Sequence, residues 1–136
     1  MKKILLLLSV FALLAAGAAE YKISNIRISS GKSHKFAAEE LKKHLELSGN
    51  KLIPGEGALQ VIIGTAGVKG ALKPGEARWL YKGGKLYFWG DDRSNRNGTL
   101  FAVYDFLDTK LGARWFYPGE DGIFVPQRET ISLKEN

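Results

Sequence analysis

The chain has 136 residues, with 20 basic and 14 acidic side chains, a formal net charge of +6 and no cysteine. The lack of cysteine excludes a disulfide framework and any thiolate chemistry or thiolate metal site. The positive charge is scattered along the sequence, which argues against a nucleic-acid-binding surface. The length and composition are typical of a single small globular domain.

The first 19 residues have the pattern of an export signal. Met1-Lys2-Lys3 is a positive start, residues 4–14 are apolar, and small residues then offer a cleavage site after Ala19. The apolar stretch is shorter than the ~20 residues of a membrane span, although an uncleaved N-terminal anchor is the alternative. Cleavage leaves residues 20–136 as one domain, with 18 basic against 14 acidic residues and a net charge of +4. We therefore expect a bacterial periplasmic or secreted protein that makes no membrane contact after cleavage.

The first half of the domain predicts a strand, a helix and a second strand. Isoleucines alternate with polar residues over 21–28, which indicates a half-buried strand. Ser33 is a candidate N-cap for a helix over 36–48, and Gly49 is placed to end it. The apolar stripe of this helix consists of Ala37, Leu41, Leu45 and partly Phe36. Residues 59–64 then form a mostly buried strand.

Gly83-Gly84 predicts a tight hairpin between residues 77–82 and 85–90. This turn places Trp79 opposite Phe88, and Arg78 opposite Trp89. One face is wholly apolar and should lie beneath the helices, and it consists of Ala77, Trp79, Tyr81, Leu86 and Phe88. The other face is mixed, and it consists of Arg78, Leu80, Lys82, Lys85, Tyr87 and Trp89. A register slip of one residue would exchange the two faces.

A second helix follows, with Asn95 or Asn97 as its cap and Gly112 at its end. Its apolar stripe is Leu100, Val103, Tyr104, Leu107 and Leu111. A short aromatic strand at 114–117 and a last strand at 130–133 complete the pattern. The order predicts an α+β fold, with a small, mostly antiparallel sheet of about four strands and two helices packed on one face.

Two stretches of the sequence resemble a known accessory domain. The string R-x-G-T-L-F-A-V-Y-D-F-L from Arg96, followed by L-G-A-R-W-F-Y-P-G from Leu111, is similar to a domain that precedes the catalytic barrel of family 67 α-glucuronidases. The string F-A-A-E-E-L-K-K-H-L-E-L-S-G from Phe36 resembles the first helix of that domain, and the related second domain of family 20 β-hexosaminidases has the same architecture. The resemblance implies a role in glycan breakdown, with the chemistry in a barrel of ~250 residues for which this chain has no room.

The residues themselves predict no catalytic centre, no metal site and no cofactor. The acid pairs are expected to be solvated surface carboxylates: Glu39/Glu40, Asp91/Asp92, Asp105/Asp108 and Glu120/Asp121. His34 and His44 have no partner at a metal-ligand spacing, and each is expected to be a partly buried or surface histidine. The glycine-containing loop at 64–70 matches neither phosphate-binding pattern.

The candidate contact residues are Arg78, Tyr87 and Trp89, which share the mixed face of the hairpin. They would form a sugar-stacking platform, a cation–π cluster, or a surface that packs against another domain. The leading hypothesis is a non-catalytic accessory domain of an exported glycoside hydrolase system, packed on a catalytic barrel or left as a solitary remnant. The alternatives are a stand-alone carbohydrate-binding module that uses these three residues, and a small independent enzyme. The expected partner is a barrel or a glycan rather than nucleic acid, and a hairpin face left bare would favour self-association.

Overall fold

The computed structural model describes residues 17–135. The predicted signal at residues 1–19 lies almost wholly outside this range, and Ala18 and Ala19 pair with Lys134 and Leu133 of the last strand. No helix in the described part is long and apolar enough to cross a membrane. The strands are β1 (Ala18–Lys22), β2 (Ile26–Ser30), β3 (Leu59–Ile63), β4 (Ala77–Lys82), β5 (Lys85–Gly90), β6 (Arg114–Trp115), β7 (Ile123–Phe124) and β8 (Thr130–Lys134). The helices are α1 (Lys35–Leu47) and α2 (Gly98–Phe106), and a π-helical turn (Leu107–Leu111) continues α2.

The four-stranded main sheet has the order β2-β3-β5-β4, and the α+β class with two helices is confirmed. The expectation of a mostly antiparallel arrangement is wrong for this sheet, since β2 is parallel to β3 and β3 is parallel to β5. Helix α1 carries the chain from the end of β2 back to the start of β3, so the two strands run in the same direction. The antiparallel pairs are β4–β5, β1–β8 and β6–β7.

The strand predicted over 21–28 is divided by a short 3₁₀ turn at Ile23–Asn25. Ile23 is fully buried, and its amide donates to the Glu129 carbonyl at 2.8 Å. The Asn25 side chain accepts from the Gly55 amide at 2.7 Å and donates to the Glu56 carbonyl at 3.0 Å. These contacts turn the chain, so β1 pairs with β8 in a separate sheet while β2 joins the main sheet.

The β4–β5 hairpin has the predicted register, with Trp79 opposite Phe88. Gly83 and Gly84 adopt φ values of 58° and 73°, the left-handed conformation that a two-residue hairpin turn requires. The apolar face lies against α2, where the Phe106 ring contacts Phe88 and Trp79 at centroid distances of 5.2 and 5.3 Å. Edge-to-face packing of these three rings fixes the helix on the hairpin.

The helix ends follow the sequence more closely than the helix starts. Gly49 ends α1 with a φ of 97°, and Gly112 ends the π-helical turn after α2 with a φ of 80°. At the start of α1 neither Ser33 nor another side chain caps the helix, which continues from a 3₁₀ turn at Lys32–His34. In the apolar stripe of α1, Leu41 and Leu45 are buried as expected, whereas Phe36 is 59% exposed.

The start of α2 is capped by Asp92 rather than by the side chain of Asn95 or Asn97. The Thr99 amide donates to Asp92 Oδ1 at 2.9 Å, while Asn97 occupies the cap position without a side-chain bond. The stripe of α2 is also displaced from the prediction, since Leu100 and Tyr104 are only half-buried. The buried apolar side chains are those of Ala102, Val103, Phe106, Leu107 and Leu111.

Candidate functional site

The predicted contact residues lie side by side on the hairpin, but they do not form an open platform. Arg78 is opposite Trp89, and Tyr87 is on the same face. Trp89 is only 6% exposed, and the Arg78 Nε donates to Glu76 Oε1 at 2.6 Å. The loop before β4 covers this face, since a Cβ placed on Gly67 would lie 3.1 Å from Tyr87. Little of the Trp89 ring is therefore exposed, and with Arg78 it lines one side of a cavity of about 390 Å³.

Asp91 is a buried carboxylate, not the surface acid that the sequence predicts. It accepts from Arg93 Nε at 2.7 Å, from Arg96 Nη1 at 2.8 Å and from the Gly75 amide at 2.9 Å. The hydrogen bonds from Arg93, Arg96 and Gly75 hold the pKa of Asp91 well below its ordinary value. Asp91 therefore fixes the loop at 93–97 against the loop that leads into β4.

The neighbouring Asp92 connects the starts of the two helices. Its Oδ2 lies 2.9 Å from His34 Nε2 and accepts from Thr99 Oγ1 at 2.6 Å. Ser33 Oγ lies 3.2 Å from the other ring nitrogen of His34. Burial alone would raise the pKa of Asp92, but the hydrogen bonds from Thr99 and His34 outweigh it and lower the pKa. At neutral pH Asp92 is therefore an anion with three fixed partners, which are His34 Nε2 and the hydroxyl and amide of Thr99.

These groups border a cavity of about 330 Å³, which we call the helix-start cleft. The segments that follow β2 and β5 border the cleft. The cleft therefore lies at the carboxyl ends of parallel strands, where α/β proteins commonly bind ligands. Gly64 follows β3 and is packed on His34, since a Cβ there would lie 2.6 Å from His34 Cε1. The residues that line the cleft are Ser33, His34, Phe36, Ala37, Asp92, Asn95, Asn97 and Leu100.

One wall of the cleft is a strained loop. Ser94, Asn95 and Asn97 adopt φ values of 52°, 58° and 56°, the left-handed region that side chains other than glycine seldom occupy. Asparagine tolerates this conformation better than most residues, but each case still costs free energy. The ion pairs of Asp91 with Arg93 and Arg96 hold the loop in this form.

A second surface, the aromatic hairpin, consists of residues 114–124 and includes β6 and β7. Its four large aromatic side chains are exposed: Trp115 by 41%, Phe116 by 72%, Tyr117 by 59% and Phe124 by 52%. The Trp115 ring packs on Tyr104 of α2 at a centroid distance of 5.5 Å and on His44 of α1 at 5.3 Å. The hairpin is therefore attached to both helices by one of its own aromatic rings.

Beneath Trp115 lies a buried histidine that the sequence predicts to be no more than partly buried. His44 is 0% exposed, and its Nδ1 lies 2.8 Å from the Glu40 carbonyl. Its Nε2 has no hydrogen-bond partner among the described residues. The Tyr104 hydroxyl donates to Glu40 Oε2 at 2.9 Å, and burial together with this bond raises the pKa of Tyr104 to about 12. By contrast, His34 is half-buried, as the sequence predicts.

The sequence indicates one part of the cleft, its acidic residue Asp92. Two adjacent carboxylates, Asp91 and Asp92, directly follow a buried strand and precede a helix, a position where acidic side chains cap helix starts. The partner of Asp92 is His34, 58 residues away in the sequence. No local pattern links two residues so far apart, so the pairing emerges only from the fold.

Comparison of the chain with protein families, curated proteins and solved structures finds no match.

Proposed function

We propose that this protein is a non-catalytic accessory domain of an exported glycoside hydrolase system, and that it packs on a catalytic barrel through the aromatic hairpin. The observation that carries the proposal is the concentration of four exposed aromatic side chains within residues 114–124. Singly exposed apolar side chains are normal, whereas a contiguous group of them marks an interaction surface.

The hairpin has the composition of a protein interface. Aromatic residues are enriched at interface centres, and charged residues lie at their rims. Arg114 at the base of the hairpin pairs with Asp108 of the π-helical turn, and Lys43 of α1 donates to Glu120 at 2.6 Å. Trp115 is already packed on Tyr104, so little side-chain freedom is lost when a partner covers it.

The carboxylates support a role outside the chemical step. Glycoside hydrolysis uses two carboxyl groups about 5 to 10 Å apart that flank the bound sugar. Asp105 accepts from Trp79 Nε1 at 2.8 Å, and Asp108 is paired with Arg114. The helix-start cleft is lined by one carboxylate, Asp92. This distribution favours a domain that supports catalysis by a separate barrel.

The test is binding of the purified protein to the catalytic barrel of an exported α-glucuronidase-type enzyme from the same organism, measured by calorimetry. Phe116→Ser should weaken binding about tenfold or more, the loss expected at an aromatic interface position. Ile53→Ser is the matched control, because Ile53 is 70% exposed but lies outside the hairpin, and it should bind as the parent does.

Two results would count against the proposal. One is the absence of a complex with the barrel. The other is a concentration-dependent dimer, seen by sedimentation, that Phe116→Ser abolishes, because the hairpin would then serve a second copy of this chain.

A further inference from the structure

The helix-start cleft has the properties of a small-ligand site that barrel docking does not use. Its volume of about 330 Å³ is at the lower end of the roughly 300–1,000 Å³ typical of ligand pockets. Its apolar side includes Leu100 and Phe36, whose side chain is 59% exposed although it begins a buried helix face. A ligand that packs on the Phe36 ring would remove this apolar area from water.

The polar side of the cleft offers hydrogen-bonding groups to a ligand. Asn95 and Asn97 are exposed and line the cleft, and the Asn97 side chain makes no bond at the start of α2. Each amide supplies two donors and one acceptor. Both residues have left-handed backbones, which the buried Asp91 network holds in place. The backbone that carries both amides is therefore fixed, so the loop itself loses little entropy on binding.

The charges around the cleft discriminate among ligands. An anion would be repelled by the Asp92 carboxylate. This carboxylate already accepts from the Thr99 amide, the backbone donor that an anion would need at the start of α2. A metal ion would find a single carboxylate, and no group of three metal-binding side chains occurs in the described part of the chain. An uncharged ligand with hydroxyl groups fits best, because a hydroxyl both donates to a carboxylate or amide oxygen and accepts from an amide N–H.

We infer that the helix-start cleft binds an uncharged sugar ring. Asn95 and Asn97 bond neighbouring hydroxyl groups, and the Phe36 ring lies against the apolar C–H face of the sugar. Another hydroxyl donates to Asp92 Oδ1, which accepts only from the Thr99 amide among the described residues, whereas Oδ2 is already bonded by His34 and Thr99 Oγ1. This site goes beyond the proposed docking function and shares no residue with the aromatic hairpin. It is also distinct from the hairpin face that carries Arg78, Tyr87 and Trp89.

The experiment titrates the purified protein with D-xylose, D-glucose, D-galactose and D-glucuronic acid, and follows backbone amide shifts by NMR. At least one neutral sugar should bind saturably, and glucuronic acid should bind about tenfold more weakly or not at all. Asn97→Gly and Asn95→Gly remove the amides while glycine keeps the left-handed backbone without strain. Each should weaken binding about tenfold, the effect of ~1.4 kcal/mol, in line with one or two lost hydrogen bonds.

Phe116→Ser is the matched control, because it alters the aromatic hairpin and should leave sugar affinity unchanged. In the converse control, Asn97→Gly should leave barrel binding unchanged, so that the two proposals fail separately. The inference is overturned if no neutral sugar binds saturably, if binding survives both asparagine substitutions, or if glucuronic acid binds more tightly than every neutral sugar.

Discussion

The contact between Gly90 and Gly98 fixes the start of α2 on β5, and Gly98→Ala tests it. A Cβ on Gly98 would overlap the Asp91 amide and lie 2.7 Å from the Glu76 carbonyl oxygen. Both are backbone groups in one network, in which the Asp91 amide donates to the Glu76 carbonyl at 2.7 Å and the Gly98 amide donates to the Asp91 carbonyl at 3.1 Å. No side chain can rotate away to make room for the methyl group.

The expected loss of stability follows from these contacts. Alanine is the better helix former by about 1 kcal/mol, which favours the substitution. Overpacking costs about 1–3 kcal/mol, and here the upper end applies because backbone must move. Displacing that backbone breaks at least one hydrogen bond, which adds about 1 kcal/mol. The net destabilisation is therefore about 3 kcal/mol, or a fall in Tm of roughly 12 °C for a domain of this size.

The assay is urea unfolding, followed by tryptophan fluorescence. Gly31→Ala is the control, because Gly31 also lies at a helix start, directly before the 3₁₀ turn that leads into α1, has a φ of −75°, and has no atom within 4 Å of the added Cβ. It should change the free energy of unfolding by less than about 0.5 kcal/mol. If Gly98→Ala behaves like Gly31→Ala, the close approach of α2 to β5 is wrong.

Three further substitutions test the groups around the two surfaces. His44→Leu removes the buried Nε2, which has no hydrogen-bond partner within residues 17–135, and also the bond between Nδ1 and the Glu40 carbonyl. These effects oppose each other, so the free energy of unfolding should change by less than about 1 kcal/mol, and a loss above about 2 kcal/mol would contradict an unpaired Nε2. The pKa of Asp92 is lowered by folding, so its stabilisation is present above its unfolded pKa of about 3.9 and is lost as pH falls through the lower folded value. Asp92→Asn should therefore make acid unfolding less steep, and parallel pH curves would contradict this. Gly64→Ala, at φ 90° and against the His34 ring, should destabilise by about 2 kcal/mol, and Gly57→Ala, at φ 68° in open space, by only about 1 kcal/mol; equal losses would refute the packing on His34.

The features that the sequence predicts correctly depend on local geometry. Gly83-Gly84 fixes the pairing of β4 with β5, because a two-residue turn with two left-handed positions permits one register. Gly49 and Gly112 mark helix ends for the same reason, since glycine adopts the left-handed conformation at little cost. These signals need no knowledge of the rest of the fold.

The features that the sequence does not reveal depend on partners far away in the chain. The break in the strand over 21–28 needs Asn25 to bond the backbone at Gly55 and Glu56. The mixed face of the hairpin is covered by the loop around Gly67, which packs on Tyr87 and Leu80 and has no periodic pattern from which to place it. The candidate site is of the same kind, because the bond between His34 and Asp92 joins two helix starts that only the sheet brings together.

Helix α1 relates the two proposed surfaces. His34 and Phe36 at its start belong to the helix-start cleft, and His44 in its second half lies beneath Trp115 of the aromatic hairpin. Since a helix rises 1.5 Å per residue, Phe36 and His44 are separated by roughly 12 Å along the axis. At that distance, substitutions with no shared contact act independently. The two proposals are therefore compatible, because a sugar in the helix-start cleft and a barrel on the aromatic hairpin would share no residue.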